Sequence, residues 1–288
     1  MSELDRFILR LDQLLDRLDP LLPPVPVTLD FAAHIAFRWR KRGLRGGLEP
    51  VGTPHRIKLD DLKGVERQAE LVTRNSRQFV EGRPANNVLL TGARGTGKSS
   101  LVKAVLNEFA PRGLRLVEVE KNDLLDLPDI IDLLVRQPYR FVLFCDDLSF
   151  EADEAGYKAL KAVLDGSVAA TPDNVLLYAT SNRRHLMPEY MQENLQTRYV
   201  GEEIHPSETV EEKVSLSERF GLWVSFYPFD QDEYLSIVRH WLERLGVRDL
   251  DDARIRTEAL QWALMRGSRS GRVAWHFARD WAGRTEPG

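Results

Sequence analysis

The sequence predicts an α/β protein, a mostly parallel sheet covered by helices on both faces, followed by a small all-helical C-terminal domain. Three observations lead there. Five apolar runs, near 87–91, 115–119, 140–146, 175–180 and 222–227, read as buried strands. Helical stretches near 65–81, 98–109, 127–136, 155–165 and 207–219 alternate with them, the pattern of a parallel sheet with helical crossovers. After Pro228 no strand signal remains, and 230–245, 252–266 and 271–282 read as three helices.

Taken in order, residues 3–18 place Leu4, Ile8, Leu11, Leu15 and Leu18 on one helical face, and the stretch from Pro20 to Pro26 ends that helix. A second short helix is expected over Phe31 to Arg42. It closes on the basic run Arg38-Trp39-Arg40-Lys41-Arg42, read as a solvated helix end or a subunit contact in preference to a nucleic-acid or lipid-headgroup site. Gly46 to Pro54 reads as a linker. The expected division is an N-terminal helical region and linker over 1–56, an α/β domain over 57–228 and a helical lid over 229–288.

The first strand, Asn87-Val88-Leu89-Leu90-Thr91, runs into the octapeptide Gly92-Ala93-Arg94-Gly95-Thr96-Gly97-Lys98-Ser99. The next helix places Leu101, Val105 and Phe109 on one face, widened by Val102 and Leu106. Strand, glycine loop and helix form the setting of the phosphate-binding pattern G-x-x-x-x-G-K-[ST]. Glycines let successive backbone N–H groups point at one anion, and the helix N-terminus adds its positive dipole end. Lys98 would reach the β- and γ-phosphates, and the Ser99 hydroxyl would hold Mg²⁺. Ser100 stands directly behind and is grouped with the nucleotide-binding residues.

The third strand, Phe141-Val142-Leu143-Phe144-Cys145, ends in Asp146-Asp147. A buried strand fixes a carboxylate at its C-terminal end, where ligands gather in an open α/β sheet. Asp146 is the candidate for Mg²⁺ and Asp147 for orienting or deprotonating the attacking water. The fourth strand, Val175 to Thr180, ends in Ser181-Asn182, and the Asn182 amide would lie beside the acids.

On these motifs the chain resembles the AAA+ ATPase superfamily over about 57–285. Gly92–Ser99 is similar to its Walker A motif, Phe141–Asp147 to its Walker B motif, and Asn182 falls at the sensor 1 position. Ser215-Leu216-Ser217-Glu218-Arg219-Phe220 resembles the segment that ends in the arginine finger, which makes Arg219 the candidate. Gly267-Ser268-Arg269-Ser270-Gly271-Arg272 resembles the sensor 2 region, with Arg272 favoured over Arg269. Leu59-Asp60-Asp61-Leu62-Lys63-Gly64-Val65 resembles the segment that packs against adenine, with Gly64 and Val65 its contact candidates. The resemblance implies a P-loop NTPase with a five-stranded parallel sheet in order 5-1-4-3-2, a helical lid, and ATP with Mg²⁺ as cofactors. It also implies a homo-oligomer, often a hexameric ring.

Narrower strings, among them Asp146-Asp147-Leu148-Ser149-Phe150 and Ala179-Thr180-Ser181-Asn182-Arg183-Arg184-His185-Leu186, resemble one bacterial AAA+ group classed as a domain of unknown function. One departure stands out: the superfamily usually has Glu after the magnesium Asp, and this chain has Asp147, one methylene shorter.

Composition sets the outer bounds. The 288 residues carry a net charge of −4, which does not suggest a generic polyanion binder. One cysteine, Cys145, excludes an internal disulfide framework and reads as a buried structural thiol. No apolar stretch approaches the ~20 residues of a membrane span. The N-terminus, with Asp5, Arg6, Arg10 and Asp12 among its leucines, lacks a signal-peptide core, so the expectation is a cytoplasmic protein. The expected activity is hydrolysis of ATP to ADP and phosphate, coupled to remodelling of a macromolecular partner that the sequence does not identify, protein or nucleic acid. The alternative is a nucleotide-gated assembly switch with little turnover. A small-molecule kinase using the same loop is disfavoured by Asn182, the helical lid and the Ser215–Phe220 segment.

Overall fold

Side chains alternate across a strand, and on the central strands both alternating sets are apolar, so helices must cover both faces. In the computed structural model Phe141, Leu143 and Cys145 bury on one face while Val142 and Phe144 bury on the other. The structure describes residues 29–42, 45–149, 155–165, 172–182, 199–200, 203–204, 218–247 and 252–284.

The strands are β1 (Ala36–Arg42), β2 (Arg45–Pro50), β3 (Val88–Gly92), β4 (Leu114–Glu118), β5 (Arg140–Cys145), β6 (Val175–Ser181), β7 (Tyr199–Val200), β8 (Glu203–Ile204) and β9 (Leu222–Phe226). The longer helices are α1 (Glu66–Val80), α2 (Lys98–Phe109), α3 (Leu127–Leu134), α4 (Ala155–Asp165), α5 (Gln231–Arg244), α6 (Asp252–Met265) and α7 (Gly271–Arg284). One seven-stranded sheet runs β2-β1-β4-β5-β6-β3-β9, and β7 pairs with β8 separately. Every neighbouring pair in the large sheet is parallel except β1–β2.

The five expected strands are β3, β4, β5, β6 and β9, and they neighbour one another in the expected order. The expected count of five is corrected to seven. The helix anticipated over 31–42 and the linker over 46–54 are instead β1 and β2, added beyond β4. The period decides it. Phe37 (0% exposed) and Trp39 (3%) bury on one face, while Arg38 and Arg40 lie on the other and reach Glu118 and Glu120 at 2.8 and 2.7 Å. Spacing of two places the apolar pair together on a strand and would separate it on a helix. The basic run is thereby an internal seam: Lys41 Nζ meets Asp126 at 2.9 Å, and Trp39 Nε1 donates to the same carboxylate at 3.0 Å. Gly46 lies under Trp39, where a Cβ would sit 1.9 Å from the indole. The helix expected over 3–18 lies outside the described residues, as does all but the last two residues of the one expected over 207–219.

Helices α1 and α2 cover one face of the sheet, together with the lid helices, and α3 and α4 cover the other. Helix α5 opens on a reciprocal capping box: Asp230 accepts from Glu233 N at 2.8 Å, and Glu233 accepts from Asp230 N at 2.8 Å. That cap, two residues after Pro228, marks the change from sheet to lid. Tyr234, Phe277 and Trp281 then bury the lid against itself and against the α1–α2 layer.

Candidate functional site

The C-terminal ends of β3, β5 and β6 open into one cavity of about 870 Å³, closed on the far side by α5 and α7. At its floor is the glycine loop. Gly92 has φ +124°, and a Cβ there would meet the Phe226 carbonyl at 1.9 Å, so the close approach of β3 and β9 requires glycine. Gly97, at φ +99°, turns the chain into α2. Thr96 Oγ1 donates to Ala93 O at 2.8 Å and braces the loop from inside.

Lys98 is the first residue of α2 and is 5% exposed. Its ammonium donates to Gly92 O (2.8 Å), Ala93 O (2.7 Å) and Asn182 Oδ1 (3.1 Å). Burial pulls its pKa down to about 8; Asp146 and Asp147 oppose that fall, and Arg94 adds to it.

Ser99 Oγ donates to Asp146 Oδ1 at 2.6 Å, and Thr180 Oγ1 donates to the same oxygen at 2.5 Å. Asp147 has φ 54°, left-handed, which no other described non-glycine residue adopts. Its N–H donates to Thr180 Oγ1 at 2.8 Å, and Asn182 Nδ2 donates to its Oδ1 at 2.5 Å. Lys98, Asn182 and Asp147 thus form one hydrogen-bonded chain. The Asp146 carboxylate beside the Ser99 hydroxyl offers hard oxygen donors suited to Mg²⁺, an ion that is bound through few protein ligands plus water and substrate phosphates. Among the described residues no group of three or more His, Cys, Asp or Glu gathers as a metal site.

The cavity also has an apolar and aromatic lining, beside the charged Asp61, Lys63 and Arg244. Ile57, Leu62 and Val65 face Phe229, Ile237, Trp241 and Trp275, with the two indoles edge-on at 4.7 Å. The lid is fastened to the loop: Gly271 N donates to Gly95 O at 2.8 Å, and a Cβ on Gly95 would touch Ser270 at 2.8 Å.

Of the residues singled out from the sequence, Arg94, Gly95, Thr96, Gly97, Lys98, Ser99, Ser100, Val65, Asp146, Asp147, Asn182 and Arg272 line this cavity. Gly92 and Ala93 contribute their carbonyls beneath it. Gly64, at φ +75°, packs toward Phe229 instead of lining the cavity. Arg269 is not among the lining residues, whereas Arg272 is. Arg219 is likewise not among them; its guanidinium bonds Asp165 at the end of α4. Thr180, Trp241 and Trp275 were missed. A hydroxyl two residues before Asn182 was the available signal for Thr180; nothing local marks the tryptophans.

A family model described as "Protein of unknown function (DUF815)" matches residues 32–285. No curated protein matches the chain. Among solved structures, a RuvB variant of Thermotoga maritima is 16% identical with a TM-score of 0.50, over 77% of this chain and 63% of that one. A second variant of the same RuvB is 17% identical with a TM-score of 0.51, over 77% and 64%. The Aeropyrum pernix ORC1 protein in complex with DNA is 16% identical with a TM-score of 0.53, over 78% and 62%. The chain spans less than two thirds of the length of these neighbours, and the likeness is one of fold.

Proposed function

The chain belongs to the DUF815 family and has the AAA+ P-loop fold, and on that premise we propose that it binds ATP with Mg²⁺ and hydrolyses it to drive work on a macromolecular partner. The observation that carries this reading is the convergence of Lys98, Ser99, Asp146, Asp147 and Asn182 in a single cavity that aromatic side chains also line. A nucleoside triphosphate joins a charged tail to a flat aromatic base, and this cavity carries groups suited to each.

In the proposed reaction the loop N–H groups and Lys98 hold the phosphates. Ser99 and Asp146 would hold Mg²⁺, which supplies Lewis-acid neutralisation of phosphate charge. Asp147, oriented by Asn182, accepts a proton from the attacking water. Arg272 approaches from the lid. Arg219, outside this cavity and next to Asp165, is assigned to the site of a neighbouring copy, so that assembly would control turnover. The DNA held in the ORC1 structure makes DNA the first client to test.

Calorimetry of ATP binding to the wild type and to Lys98→Ala tests the first step. Loss of binding in the folded variant is expected; unchanged affinity overturns the reading. Phosphate release measured across protein concentration tests the second. Turnover abolished by Asp146→Asn and by Arg219→Ala supports hydrolysis in an assembly. A second reading, ATP-gated assembly without turnover, is favoured by Asp147, whose carboxylate is one methylene shorter than the Glu of the superfamily pattern; tight binding with no phosphate at any concentration would select it.

A further inference from the structure

The two acids at the end of β5 are held by one hydroxyl. Thr180 is 2% exposed, and its Oγ1 lies 2.5 Å from Asp146 Oδ1 and 2.8 Å from Asp147 N. A hydroxyl has one proton, and an ionised carboxylate only accepts. The proton of Thr180 therefore goes to Asp146, and its lone pair receives the Asp147 N–H. Both directions are fixed by chemistry. The main chain adds a third bond, Leu148 N to Thr180 O at 2.7 Å. Three successive residues, Asp146, Asp147 and Leu148, thus each end a hydrogen bond on Thr180.

Asp147 is where this grip has a task. Its left-handed backbone, φ 54°, is a conformation that a non-glycine residue holds only when its surroundings over-determine it. Thr180 fixes the N–H and Asn182 fixes Oδ1, so both ends of Asp147 are tied to the end of β6. In this turn the Asp147 carboxylate meets Asn182 Nδ2 at 2.5 Å. We propose that Thr180 is the positioning residue of this site, locking Asp147 in its left-handed turn while orienting Asp146 through the same oxygen. The proposal rests on the ATPase reading for its kinetic consequence and on the hydrogen bonds alone for its structural one.

The test uses the full chain. Thr180→Val keeps shape and removes both bonds; Thr180→Ser keeps the hydroxyl. Three quantities are measured: ATP affinity by calorimetry with Mg²⁺ present, phosphate release at saturating ATP, and exchange of the Asp147 amide by NMR. Loss of one charge-linked hydrogen bond sets a scale of about tenfold. Thr180→Val is expected to bind ATP within about threefold of wild type, turn over at least about tenfold more slowly, and exchange the Asp147 amide about tenfold faster. Thr180→Ser is expected to restore all three.

Unchanged amide exchange and turnover in Thr180→Val overturn the proposal. So does a folded Thr180→Ser as impaired as Val, which would assign the effect to the methyl. Should Val not fold, Thr180→Ala carries the same expectations with atoms removed instead of exchanged. If the wild type fails to bind ATP, the ATPase reading falls, and amide exchange still decides the role of Thr180.

Discussion

Binding of nucleotide above pH 8 should take up a proton at Lys98. The ammonium is buried among Gly92 O, Ala93 O and Asn182, and burial lowers its pKa to about 8. A polyphosphate in the loop places several negative charges against the same nitrogen and returns it to full protonation. The free protein then holds about 0.75 of a proton there at pH 7.5 and about 0.25 at pH 8.5, so uptake on binding rises from about 0.25 to about 0.75. Phosphate groups, with a second pKa near 6, are already ionised over that range and add little. Calorimetry of ATP binding at each pH, in buffers of different ionisation enthalpy, counts the protons directly. Equal uptake at the two pH values, or none at 8.5, would refute the assignment of a desolvated lysine to the phosphate site.

Three other expectations follow from the same geometry. Between pH 8 and the ordinary lysine value of 10.5 the unfolded chain binds more protons at Lys98 than the folded one, so stability without nucleotide rises with pH there; Lys98→Met should remove that slope in thermal melts at stepped pH. Gly46→Ala places a methyl inside the Trp39 ring and should cost about 2 kcal/mol, lowering Tm by roughly 4–8 °C by calorimetry; an unchanged Tm would mean that the β1–β2 pair is not packed as described. Gly95→Ala combines φ +74° with a 2.8 Å approach to Ser270, so it should loosen the lid and weaken ATP binding about tenfold while leaving the fold intact by circular dichroism; unaltered affinity would disconnect the lid from the loop.

The central sheet was legible because each of its strands is an uninterrupted apolar run bounded by turn residues. The loop was legible because the G-x-x-x-x-G-K-[ST] pattern sets glycine and lysine at fixed spacing. β1 was not, since Arg38, Arg40 and Lys41 hide a two-residue period behind charge, and only the acids at Glu118, Glu120 and Asp126 reveal why that charge is tolerated. Gly46 read as linker for a related reason: the demand for a small residue comes from Trp39 across the hairpin, not from the local chain. Within the site, the loop and the acids at the strand ends were readable from contiguous motifs. The aromatic lining was not, because Trp241 and Trp275 join Ile57 and Val65 in one cavity only after the lid folds back across more than a hundred residues of chain.

The bond between Gly271 and Gly95 makes the last helix a lever with its short arm on the glycine loop. Fourteen residues at 1.5 Å each give α7 a length of about 21 Å. A tilt of about 10° at the Gly271 end would carry the Arg284 end through roughly 4 Å. Atomic-scale resettling of the loop would therefore be broadcast to a distant surface as a displacement large enough to change what that surface can grip.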